Sequence, residues 1–151
     1  MDSIRRISIA LTMTFATIGL IGCMAPDASV SKDAKSEAED ADKEIEEWLG
    51  EPDKAEARNW LQGDSHILFE GDKATAKKLV NDLYSAGATE VWVIGISEIG
   101  GSEVAAAFVA VLPGDSAARK RIFAVESAFQ QLVDDEPTRD TGQKYLHFSF
   151  D

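Results

Sequence analysis

Cysteine is nearly missing from this sequence: Cys23 is its one thiol, so no disulfide can close within the chain. An exported domain without that brace stands on its apolar core alone. Histidine is almost as scarce. His66 and His147 are the two present, no H-E-x-x-H occurs, and no cysteine is left to complete a metal cluster. Basic side chains number 15 against 27 acids, a formal net charge of −12. Such a surface repels phosphate backbones and anionic headgroups, which argues against nucleic acid as a partner. Prolines are few, and Pro26, Pro52, Pro113 and Pro137 all fall at or outside the ends of the expected elements. Local and global signals therefore agree.

Catalytic signatures are missing too. No serine stands in G-x-S-x-G, the elbow that presents a nucleophile. Asp134, Asp135, Glu136 and Asp140 lack the alternating spacing and central glycine of a calcium loop. Glu70-Gly71-Asp72 precedes a helix, where phosphate often binds, but two carboxylates there oppose an anion. Lys73, Lys77 and Lys78 on one expected helix, and Arg119, Lys120 and Arg121 on another, read as wet faces. No catalytic residue, metal or cofactor is expected, and the chain is not read as an enzyme.

What is present begins at the N-terminus. Arg5 and Arg6 precede an uncharged apolar run from Ile7 to Ile21, short for a helix that must cross roughly 30 Å of hydrocarbon. Leu20-Ile21-Gly22-Cys23 closes the run. This resembles the lipobox of bacterial lipoproteins. The resemblance implies a diacylglyceryl group on the Cys23 thiol, cleavage just before it and acylation of the new amine. Several acyl chains, at about 0.8 kcal/mol per buried CH₂, hold a protein on a bilayer far more firmly than one. Met24 in place of an aspartate points to the periplasmic side of the outer membrane in preference to the inner membrane.

The rest divides into an acidic flexible tether over 23–43, a short helical segment over 44–63 that packs on the domain, and an α/β sandwich domain over 64–151. The tether is rich in Ala, Ser, Asp, Glu and Lys, and as a coil of about twenty residues it would span roughly 25 Å. Ile45, Trp48, Leu49 and then Ala57, Trp60, Leu61 mark two short helices that need an apolar surface.

Within the domain, Val91 to Ile96 and Val104 to Leu112 read as two apolar strands joined by Gly100-Gly101, whose positive φ angles suit a two-residue turn. A strand over His66–Glu70 and a helix capped by Asp72 and stopped by Gly87 come before the hairpin. A helix opened by Asp115 and a strand over Tyr145–Phe150 come after it. The order β-α-β-β-α-β resembles the ferredoxin-like fold. That likeness implies an α+β two-layer sandwich, spatial strand order 4-1-3-2 and both helices on one face. The loop Gly71-Asp72-Lys73 lacks the arginine acylphosphatases carry after their first strand, and also the C-x-x-C of heavy-metal-binding members.

Alternation places Trp92, Ile94, Ala105, Ala107 and Val109 on one face of the hairpin, and Val91, Val93, Phe108, Ala110 and Leu112 on the other. Both faces are apolar, so something should cover the second: the Trp48 and Trp60 segment, a second copy of the chain, or a ligand. Trp92, Ile94, His66, Glu70, Tyr145 and His147 form the candidate ligand or interaction face. The expected function is that of a membrane-anchored lipoprotein whose non-catalytic domain serves protein interaction or assembly in the cell envelope. The partners are the membrane, through Cys23, and a protein or a second copy. A small-molecule or sensory module is the alternative, and a hydrolytic enzyme comes third.

Overall fold

The expected hairpin forms, with Gly100 (φ +64°) and Gly101 (φ +85°) at its tip and Ile99 facing Ser102 across it. The computed structural model describes residues 32–63, 66–67, 72–105 and 107–149. Its elements are α1 (Lys32–Gly50), β1 (Ala55–Glu56), α2 (Ala57–Trp60), β2 (His66–Ile67), α3 (Lys73–Ala86), β3 (Glu90–Ile94), β4 (Ser97–Ile99), β5 (Ser102–Ala105), β6 (Ala107–Val111), α4 (Ser116–Gln130) and β7 (Tyr145–Ser149). The chain is a mixed α+β structure. Cys23 and the signal-like run lie outside the described residues, as does Glu70.

The two hairpin strands are each broken in two. Pairing runs Glu90↔Val111 to Ile94↔Ala107, stops, and resumes at Ser97↔Val104. Gly95 at φ +63° turns the chain out of the ladder, and the Ile96 N–H donates to the Asp53 carbonyl at 3.0 Å. A lone glycine in a strand often marks such a bend. The break moves Ala105 off the face of Ala107 and into the main core. The register is otherwise as expected, including the like-charge pair Glu98↔Glu103, both exposed to water.

Strand order departs from 4-1-3-2. A four-stranded antiparallel sheet runs β1-β3-β6-β7, and a three-stranded sheet runs β2-β5-β4 with β2 parallel to β5. The described part of the expected first strand pairs only at His66↔Val104 and Ile67↔Ala105, which leaves the neighbouring edge of β6 to the last strand. First and last strands therefore share one edge of the long hairpin arm, end to end. The opposite edge of β3 takes β1, in a segment expected to be helical.

Both long helices begin on an aspartate cap. Asp72 accepts from Ala74 N–H and Thr75 N–H, and Asp115 from Ala118 N–H. Gly87, at φ +111°, closes α3, and its N–H bonds the Leu83 and Tyr84 carbonyls. Leu79, Val80 and Leu83 of α3 and Ile122 and Phe129 of α4 join Val91, Val93, Phe108 and Phe148 in one core. Each such buried side chain contributes about 1.5–3 kcal/mol. Phe129 meets Phe148 edge to face at 5.7 Å. The α4 helix ends at Gln130, short of Leu132, which stays 74% exposed.

Trp60 corrects a second expectation. It lies on the helix side of the sheet, edge-on to Phe108 at 6.4 Å, and does not cover the second face. The helix that does is α1, whose 19 residues begin inside the stretch read as flexible coil. Alanine, glutamate and lysine are strong helix formers, and Ala38, Ala41, Ile45 and Leu49 recur at helical spacing. The first of the two expected short helices is the end of this longer one.

Candidate functional site

The second face is small and occupied. Ile45 of α1 packs with Ile94, Ala107 and Val109 in a cluster separate from the main core, with Leu49, Trp92 and Tyr145 against it. The ring of Trp48 lies 5.5 Å from that of His147. Lys54 donates to the Leu49 carbonyl and stands 5.3 Å over the Trp92 ring, whose Nε1 donates to Glu90 at 2.9 Å. At the start of β7, Asp42 accepts from the Lys144 main-chain N–H, and Lys144 Nζ reaches Glu46 at 2.7 Å.

Four of the residues named from sequence, Trp92, Ile94, Tyr145 and His147, thus gather on one face under α1. His66 does not join them by pairing: its strand adds to β5 in the other sheet, so it is no strand neighbour of His147. Among the described residues, no group of three or more His, Cys, Asp or Glu is placed to hold a metal.

Two clefts flank α1. The smaller, about 260 Å³, lies between Trp48, Gly95, Ala107 and His147, with Glu51 and Asp53 at its rim. The larger, about 640 Å³, follows the outer edge of β7. Glu37 and Asp42 of α1 stand on one side of it, Gln130, Asp135 and Arg139 on the other. Gln130 is 8% exposed, and no described residue hydrogen-bonds its side-chain amide. The amide of Gln143 is by contrast fully used: its oxygen accepts from Thr141 N–H at 2.8 Å, and its nitrogen donates to the Arg139 carbonyl at 2.9 Å. Burial pushes the Tyr145 hydroxyl above its ordinary pKa, and the Glu46 carboxylate adds to the effect.

Sequence reasoning missed Asp42, Gln130 and Arg139. Asp42 looks like one acid among many, and Gln130 sits beside the apolar stripe of α4 without belonging to it. None of the three carries a local signal, because the cleft draws on three separated segments.

The other perturbed carboxylates are structural. Burial opposes ionisation of Glu56, yet hydrogen bonds from Tyr84 and from the Asn59 and Arg58 amides hold it below the usual range. Asp140 is held low by the Arg119 guanidinium, which also donates to the Gln143 carbonyl at 3.0 Å. Asp72 is held low by the Ala74 amide in its cap. A further groove of about 280 Å³ lies between α3 and α4, lined by Leu79, Val125 and Phe129 beside the exposed Leu132.

Fold and site together define an α+β structure in which the sheet face opposite α3 and α4 is strapped by α1. In comparison with known proteins, the chain matches no family model, no curated protein and no solved structure. Among the described residues, no helix is long and apolar enough to cross a membrane.

Proposed function

We propose that the chain is a lipid-anchored envelope protein, tethered through Cys23 on the periplasmic side of the outer membrane, whose domain works by binding another protein and performs no chemistry. The observation that carries the anchor is the single cysteine standing after Leu20-Ile21-Gly22 at the end of an apolar run. The position of α1 supports the rest. Nine peptide links separate Cys23 from Lys32, where the helix begins, so a docked domain is held within about 30 Å of chain from the lipid plus the length of the helix. That is a short leash, suited to a partner in the same membrane layer. We read the sandwich as a variant of the ferredoxin-like arrangement with a shortened first strand. The packing of α3 and α4 in one core supports that reading, while the parallel pairing of β2 with β5 departs from the all-antiparallel sheet of that arrangement.

The test of the anchor is metabolic labelling with radioactive palmitate. The full chain takes up label and Cys23→Ala does not; an unmodified thiol in the mature protein overturns the proposal. The second reading, a small-molecule or sensory module, draws its support from the 640 Å³ cleft beside β7, within the size range of ligand pockets.

A further inference from the structure

The large cleft beside α1 has a feature that a small-molecule pocket does not need: its floor is the edge of a sheet. β7 is the last strand in the order β1-β3-β6-β7, and among the described residues no strand pairs with its outer side. An edge strand presents a row of main-chain N–H and C=O groups, and natural proteins cover or block such rows. Here the block is local. Asp42 takes the Lys144 N–H at 3.1 and 2.9 Å just before the strand begins, and beyond it the cleft runs past Tyr145, Leu146, His147 and Ser149.

One wall carries a side-chain amide that no described residue engages. Gln130 is more than nine-tenths buried, lines the cleft and has no hydrogen-bond partner for its amide among the described residues. A side-chain amide is the complement of a peptide group, one donor face and one acceptor face. Arg139 beside Gln130 in the cleft is exposed, with its guanidinium open to water. Charge favours a cationic occupant along the α1 side, where Glu37 and Asp42 stand, while Asp135 and Arg139 offset each other on the far side, in a chain of net charge −12. Successive side chains of a strand point to opposite sides, so lysines on the α1-facing side of an added strand meet acids.

From these observations we infer that the cleft between α1 and β7 binds an extended, lysine- or arginine-bearing peptide segment of a partner protein, which adds to β7 as a fifth strand. Main-chain bonds to the edge supply the affinity, Gln130 reads a peptide group, and the acidic α1 wall selects the charge. The inference rests on the protein-binding reading above and names the surface and partner chemistry for it.

The probe is a seven-residue peptide of alternating valine and lysine with a fluorescent label, titrated by anisotropy against the full lipidated chain in a neutral detergent. The alternating peptide binds, and its valine–glutamate counterpart and a version N-methylated at every second residue bind about tenfold or more weakly. Gln130→Ala and the exposed-site change Asp135→Lys each weaken binding several-fold, whereas Leu132→Ala leaves it unchanged. No binding of the lysine peptide, or equal binding of the N-methylated one, overturns strand addition. Photo-cross-linking in cells separates this from the broader reading. A partner captured from position 132 and not from position 149 removes the β7 edge and leaves protein binding standing. No partner from either position, with the peptide still bound in vitro, removes the broader reading instead.

Discussion

Asp42 and Lys144 are 102 residues apart in the chain, and both carboxylate oxygens of Asp42 accept the one main-chain N–H of Lys144, at 3.1 and 2.9 Å. The pair ties the middle of α1 to the start of β7. With Asp42 only 8% exposed, the bond is shielded from competing water.

Asp42→Ala should therefore loosen α1 without unfolding the sandwich. A charge-assisted bond of this kind contributes about 1.5–3 kcal/mol, and removal leaves a main-chain donor to find water. Amide hydrogen exchange is the measurement: Lys144 and the α1 amides should lose protection while Val91, Val93 and Phe108 keep theirs. Unchanged protection at Lys144 would show that the carboxylate is not the latch.

The apolar side of the same contact can be probed separately. Ile45→Ala should cost about 2 kcal/mol, near the low end for an aliphatic truncation, because its cluster is small and α1 can shift to close the gap. Phe108→Ala in the main core should cost about 3–5 kcal/mol. Trp48 emission should move to longer wavelength in the first variant well before the global transition. If both substitutions lower the same single transition equally, α1 is an integral layer and not a strap.

How much of this was legible depends on range. The hairpin tip could be read from Gly100-Gly101 between apolar runs, and α3 and α4 from Asp72, Gly87 and Asp115, because each signal lies within a few residues of what it controls. Gly95 was a signal too, a lone glycine in a strand pattern. The strand order could not be read that way. Whether β6 pairs with β7 or with the first strand is decided by contacts among segments tens of residues apart. Composition hid α1: Ala38, Ala41, Ile45 and Leu49 form a stripe, but the acids between them suggested a solvated coil. The face of Trp92, Ile94, Tyr145 and His147 followed from alternation, whereas the burial of Gln130 depends on how the chain after α4 folds over it.

Tyr84 offers a test with a pH axis. Its hydroxyl donates to Glu56 Oε1 at 2.7 Å and accepts the Val91 N–H at 3.1 Å, joining β1, α3 and β3. Tyr84→Phe strips both bonds and should cost about 1–2 kcal/mol; in a double-mutant cycle with Glu56→Gln the coupling should be about 0.5–1.5 kcal/mol. Glu56 is held below the ordinary carboxylate range, so the unfolded chain binds its proton at higher pH than the folded one. Its contribution is then complete above about pH 4.3, the unperturbed value, and fades as pH falls through the lower folded value. Urea midpoints measured from pH 7 downward should drop less steeply in Tyr84→Phe than in the parent. Parallel curves would mean that the phenol does not hold the carboxylate.

Glu126 gives the sharpest prediction about the packing of the cleft wall. It lies at 0% exposure on α4, its Oε1 accepts the Thr138 N–H at 2.9 Å, and its Oε2 has no partner among the described residues. One oxygen therefore holds the loop that carries Arg139, and the other has lost its water without a replacement. Glu126→Gln keeps the acceptor facing Thr138 and exchanges a buried ionisable group for a neutral amide, whose desolvation costs less. Stability at neutral pH should stay level or rise by about 1 kcal/mol. Glu126→Ala keeps nothing: it opens a cavity beneath the loop and strands the Thr138 N–H, for a loss of about 2–4 kcal/mol. Urea unfolding of the two variants decides the matter. Should the glutamine variant prove as damaging as the alanine one, the carboxylate itself, and not merely its acceptor oxygen, is what holds the 131–144 connection against the helix.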